Sequence, residues 1–523
     1  MKIKKILDIG SKVTLCSGVF AFSDAAFAIE GVTSHYSQQG SGQMTGTGLQ
    51  WSGSAGNGST ASTYIFMDGT TSNSFIDYKG TSVELRGNTT SPLSTVLYVN
   101  SSSEFGGMNL AENPDGTEVD LPQWGIHLDS KHTIFTNSTV NATANSSASV
   151  AYFNGATFSD SGAFSGNFLF GGAHLVNNAT ADNLYGVHLN DCKVSAPNFQ
   201  LGGHDKHYGL VAIGYDNATG NLKTMSYKNA VGIKLNLTPN ASNAINIANT
   251  KVIIGESSYS TATAYGVETS SNLSFTGHNQ ISVGNKNGVA NQRYAVYFTS
   301  TGASTMSADP ISKKDMAKID PNKDIITTLN GSIKSNGNLT ITGGFGFAVE
   351  ADSAIMDNNR IELLNADSLL TFDNAQFFFK NEIEISAAKV DIINSIFVFE
   401  NAGNGGLINF GDAIVTIDSD TEFYVRKGTS LEVNDFLFMG DHITVGGNQT
   451  ETIAGSFAED TDNAGNITIK VIDEYGNIVE GEEYIMNSSG VITSAVPEPA
   501  TYAAMLGSLV LGLAAWRRRK ARV

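Results

Sequence analysis

A five-residue pattern recurs along the chain: aromatic or apolar, small, apolar, variable, then often apolar again. WGIHL starts at Trp124, YGVHL at Tyr185, YGLVA at Tyr208 and VGIKL at Val231; YGVET follows at Tyr265, YAVYF at Tyr294 and FAVEA at Phe347. Successive side chains of a strand point to opposite faces. Tyr185, Val187 and Leu189 are therefore expected in a core, with Gly186 and His188 facing solvent. The fourth positions, His127, His188, Lys234, Glu268, Tyr297 and Glu350, are mostly polar, as that alternation requires. Two successive intervals of 23 residues, from Tyr185 to Tyr208 to Val231, predict a coil of that length. A period in the twenties built from short strands is the mark of a solenoid whose coils stack on one another.

The later part of the chain has the same rhythm. SLLTF (Ser368), QFFFK (Gln376), EIEIS (Glu382), KVDII (Lys389) and SIFVF (Ser395) follow closely, separated by Asn, Asp, Ser or Ala. Three such strands again make a coil of about 23 residues. The expected fold is all-β, a right-handed parallel β-helix. A sandwich array would want longer strands and more widely spaced hairpin signals. The repeats are placed at 61–454, with 302–324 (GASTMSADPISKKDMAKIDPNKD) as an inserted loop. About 18 to 20 coils at about 4.8 Å each would make a rod on the order of 90 Å. Open sheet edges recruit other chains. The polar segment 29–60 is expected as a lead-in or N-terminal cap, and 455–494, with its hairpin-like NITIKVIDEYGNIVEGEEYIM, as a C-terminal β cap.

Both ends carry signals of a different kind. Lys2, Lys4 and Lys5 precede an apolar stretch, Val13 to Phe22, and Ala26-Phe27-Ala28 supplies small residues at Ala26 and Ala28 for cleavage by signal peptidase. Residues 1–28 are thus expected as a signal peptide. Its removal takes away Cys16 and leaves Cys192 alone, which excludes an intrachain disulfide and multi-cysteine zinc sites. At the other end, Ala500 to Trp516 are 17 residues without a charge. As a helix they would span about 25 Å, near the lower limit for crossing a bilayer. A transmembrane helix is expected at 500–516, with Tyr502 and Trp516 at the interfaces and Arg517, Arg518, Arg519, Lys520 and Arg522 as a cytoplasmic basic anchor.

Val496-Pro497-Glu498-Pro499, the apolar run and the terminal arginine cluster occur in that order over 496–523. This arrangement resembles the PEP-CTERM sorting signal, which is read by membrane enzymes called exosortases. The resemblance implies a Gram-negative type bacterium, an intermediate anchored in the inner membrane, and processing near the motif. Transfer to the cell surface or an extracellular matrix would follow. Such segments also carry an ice-binding C-terminal domain label. Ice binding itself would need a flat face of regular Thr or Ser ranks, and Thr340-Ile341-Thr342 is not joined in the sequence by an evident rank.

Composition narrows the function further. The formal charge is −19, and more negative still once the two basic ends are set aside. Such a surface repels phosphate backbones, so no nucleic-acid partner is expected. Extracellular polysaccharide is a better candidate partner. No Gly-x-Ser-x-Gly elbow or His-Glu-x-x-His occurs. His204, Asp205 and His207 in GGHDKHYG are the densest metal-type cluster; the two histidines could ligate a metal with a third ligand from elsewhere, but a polar turn is the preferred reading. Asp460 and Asp462 begin like a calcium loop, but Val471 stands where a bidentate Glu is needed. No metal, cofactor or catalytic residue is assigned, and the aromatic first positions are expected in the core rather than as a sugar platform. The chain is expected to be a non-catalytic surface or matrix protein in adhesion, biofilm or envelope structure. A polysaccharide lyase or glycoside hydrolase on the same scaffold is the alternative, with ice binding third.

Overall fold

The computed structural model describes most of residues 146–426, interrupted at 160–164, 197, 204–206, 217, 239–243, 285–291, 312–326, 348–359, 380–382, 400–407 and 419. It also describes separate strands between Ser34 and Asn137 and between Phe438 and Ala495, and the pair Val510–Leu511. The described strands form one sheet wrapped into three faces, and within each face the neighbours pair in parallel.

The first face holds Ser147–Asn154, Asn183–Val194, Asn229–Leu237, Thr263–Thr269, Arg293–Phe298, Ser332–Ser335, Arg360–Leu363 and Ile383–Ser386. The second holds, among others, Gln200–Gly202, Ile245–Ala248, Leu273–Thr276, Ser304–Ala308 and Lys389–Ile393. The third holds His174–Asn177, Gly209–Ile213, Thr250–Ile254, Asn279–Val283 and, further along, Ile396–Phe399 and Glu422–Arg426. Leu339–Phe347 and Leu369–Phe379 each bend to serve the second and third faces in turn. This is the parallel β-solenoid that short, regularly spaced strands predict.

Parallel pairing in register turns identical positions into interior rows. Val187, Ile233, Val267, Val296, Ile333, Ile361 and Ile385 lie opposite one another down the first face. All belong to the main core and are essentially inaccessible. On the third face Phe345, Phe377, Phe397 and Phe423 make a second row, with ring centroids 5.6, 6.2 and 5.3 Å apart and nearly parallel planes. Each coil leaves polar backbone at its corners, and buried polar side chains satisfy it. Asn177 donates to the carbonyls of Ala148 and Tyr185 at 2.9 and 2.8 Å, and Thr269 Oγ1 and Ser335 Oγ donate to carbonyls two residues on. Without such partners these buried groups would cost about 1–3 kcal/mol each.

Coil length corrects the expected period. Asn190 and Asn236, neighbours in the first face, are 46 residues apart, while Asn374 and Asn394 farther along are only 20 apart. Tyr185 and Val231 are in fact opposite each other on the first face, whereas Tyr208 precedes the Gly209–Ile213 strand of the third. The two equal intervals of 23 residues are thus successive parts of one coil. Loops between the faces lengthen the middle coils, so the strands make about twelve coils and a shaft on the order of 60 Å. The expected inserted loop also starts late: Ser304–Ala308 is a strand of the second face, and 312–324 lie outside the described residues.

At the two ends the pairing changes sense. Leu49–Ser52 runs antiparallel to Tyr64–Asp68, and Ile467–Ile472 pairs antiparallel with Ile478–Met486, which in turn pairs with Ile492–Ala495. Val510–Leu511 is helical, and no helix among the described residues is long and apolar enough to cross a membrane. The expected signal peptide at 1–28 and the rest of the 500–516 helix lie outside the described residues.

Candidate functional site

The recurring motif shapes the outer surface of the first face in a way that simple alternation does not. A Cβ on Gly186 would collide with the Val211 side chain and the Gly232 carbonyl. One on Gly232 would meet Val252 and the Gly266 carbonyl, and one on Gly266 would meet Ile281 and the Ala295 carbonyl. In these three repeats the small residue therefore points inward, against an aliphatic side chain of the third face, and Val187, Ile233 and Val267 after it also point inward. Two consecutive inward residues mark a corner in the strand. Tyr185 and Tyr265, before two of these corners, are turned to the outside next to the fourth residue, while Val231 before Gly232 is fully covered. The expectation of core tyrosines at 185 and 265 is thus corrected, and Tyr208 is also outside, 51% exposed.

The outcome is a ladder of rings and charges. His188 packs between Tyr152 and Tyr185, with ring centroids 5.0 and 4.7 Å away. Lys234 Nζ lies 5.6 Å from the Tyr185 ring and 2.7 Å from Glu268. Tyr265 stacks on Tyr294 and Tyr297, at 5.5 and 5.1 Å. Lys334 covers those two rings at 4.8 and 5.3 Å. The Tyr294 hydroxyl donates to Glu362, which also pairs with Arg360 at 3.1 Å. Each aromatic pair contributes about 0.5–1.5 kcal/mol, and each lysine over a ring a similar amount. The ring faces are spent on one another and on the lysines, and the hydroxyls of Tyr294 and Tyr297 are spent on Glu362 and Asn336.

Electrostatics follow from this packing. Burial raises the Tyr185, Tyr265 and Tyr294 hydroxyls above the usual phenol range. Burial, with Lys234 adding its charge, holds the His188 imidazole down to about 3. Away from the ladder, burial pushes the Cys192 thiol up to about 12, so this cysteine is neither a nucleophile nor a thiolate ligand at neutral pH.

A second feature appears only in the register. Thr305, Thr340, Thr371, Asp391, Thr416 and Thr444 fall in one line along the second face, though their sequence intervals are irregular. The adjacent line, Leu369, Lys389, Ile414 and His442, is mixed. Threonine thus forms one interrupted rank rather than a paired Thr-x-Thr array.

The residues singled out for metal or sorting chemistry are mostly not described. His204, Asp205, Asp460 and Asp462 lie outside the described residues, as do Ala26, Ala28, Val496, Pro497, Glu498, Pro499, Arg517, Arg518, Arg519, Lys520 and Arg522. His207 is half-buried at the corner between the second and third faces. Among the described residues no three His, Cys, Asp or Glu side chains group so as to hold a metal ion. Read as an uninterrupted strand, the repeat does not reveal the outer ladder. The invariant small residue between two large ones was the signal for a corner.

The described part of the chain is a parallel β-solenoid with a laddered outer face. Its C-terminal end matches the family model of the PEP-CTERM protein-sorting motif over residues 495–520. That signal marks an exported, cell-surface-directed protein that is sorted by an exosortase-type membrane enzyme. No curated protein and no solved structure gives a significant match to the chain.

Proposed function

We propose that this protein is a non-catalytic structural or adhesive element of the bacterial cell surface or extracellular matrix, acting in adhesion, biofilm or envelope structure. The sorting motif at 495–520 carries the reading, because it directs to the exterior a chain whose described body is a continuous parallel shaft. In this reading the tail holds the exported chain in the inner membrane of a Gram-negative type cell until it is processed near Pro497. The shaft then meets extracellular polysaccharide through the polar edges of its faces.

The test has two parts. Mass spectrometry of surface-released protein should find a C-terminus near Val496, and deletion of residues 496–523 should abolish surface display. Retention of the arginines on the released protein would overturn the sorting part. Purified passenger should leave acidic polysaccharides uncut. A cleavage or elimination rate that one carboxylate substitution abolishes would establish the lyase or glycoside hydrolase alternative instead.

A further inference from the structure

Among the described ladder residues, His188 has ring nitrogens that are enclosed without a polar partner. Its side chain is 9% exposed, and both imidazole nitrogens are buried without a hydrogen bond. The ring is held between Tyr152 of the preceding coil and Tyr185 of its own strand. The next coil places Lys234 at the same register position, and Glu268, one coil further, is taken up by Lys234 at 2.7 Å. Among the described residues, the titratable or charged groups facing His188 are thus two phenols and an ammonium, and the Glu268 carboxylate is engaged by Lys234. Such a pocket accepts a neutral ring and opposes a cation, through lost hydration and through repulsion by Lys234.

We infer that His188 is an acid-sensitive lock in the outer ladder: neutral, it seals the coils from Tyr152 to Lys234, and on protonation it must leave its slot and open them. The sign follows from linkage. A free imidazole titrates near 6.5, and the folded one is held down to about 3. The opened state therefore binds a proton that the closed state refuses, and the seal is complete above the ordinary imidazole range and lost progressively as pH falls below it. With one proton involved, the opening equilibrium rises about tenfold per pH unit through that window. An exported shaft built this way stays closed in neutral surroundings and exposes Tyr152 and Tyr185 in acidic ones.

The experiment is hydrogen exchange on the full-length protein between pH 7 and pH 4, corrected for intrinsic rates. Peptides covering Asn183–Val194 and Asn229–Leu237 should lose protection about tenfold per pH unit below about pH 6. His188→Phe, which keeps an aromatic ring and removes the titration, should lose that dependence while the distant Ile396–Phe399 strand behaves as in the wild type. An unchanged pH dependence in His188→Phe overturns the inference. Should that variant not fold, an NMR titration of the wild-type imidazole decides: no titration above pH 5 supports the lock, and a midpoint near 6 or higher overturns it.

Discussion

Two aromatic stacks run along this shaft, one inside and one outside. Phe345, Phe377, Phe397 and Phe423 stack in the core, in register and with no exposure. Tyr265, Tyr294 and Tyr297 stack at nearly the same ring separations on the outer surface of the first face and end under Lys334. The geometry is alike because parallel register brings neighbouring coils to within strand spacing wherever aromatic residues occupy the same ladder position. The energetics differ. The inner stack draws on complete removal of apolar area from water and on close packing, whereas in the outer one only Tyr294 is buried, and Tyr265 and Tyr297 are half-buried and rely more on ring-to-ring and ring-to-cation contact.

Graded substitutions test that contrast. Phe397→Ala should have the largest effect: it leaves a cavity between Phe377 and Phe423 and should cost about 3–5 kcal/mol, read as a fall in the denaturation midpoint. Gly232→Ala probes the corner that separates the two environments. Its methyl group would press on Val252 and the Gly266 carbonyl, and a loss of about 1–3 kcal/mol is expected in the same assay. Tyr265→Ala removes one plate of the outer stack and should cost about 1–2 kcal/mol; a cost equal to that of Phe397→Ala would break the contrast. Lys334→Gln should be the mildest, about 0.5–1 kcal/mol, with an effect on the Tyr294 and Tyr297 fluorescence environment and little on the midpoint.

Much of the first face was legible in the residues. Val187 and Leu189 are core positions, and Lys234, Glu268 and Tyr297 lie outside, as alternation requires. Strict alternation fails at the corner: it places Tyr185, Tyr208 and Tyr265 inside and Gly186 and His188 in solvent, whereas the three tyrosines lie outside, Gly186 points inward and His188 is buried. At a corner the glycine and the residue after it both turn inward, so the residue before the glycine is thrown outward. The coil length failed for a related reason. Loops of unequal length join the faces, so intervals such as Tyr185 to Tyr208 measure a step between faces rather than a turn of the shaft. The Thr305 to Thr416 rank was hidden by the same irregular spacing.

Local chemistry alone determined three things: the β class, through short runs of β-branched and aromatic residues; the sorting address, through a contiguous motif at the chain end; and the absence of a disulfide framework, through the cysteine count. Each depends on residues near one another in the chain or on a simple count. The tertiary structure decided which residues become neighbours, 20 positions apart at one place and 46 at another, and hence the outer ladder, the threonine line and the enclosed His188. Those contacts depend on where each coil closes. That is set by packing across the coils at the glycine corners, between residues far apart in the chain.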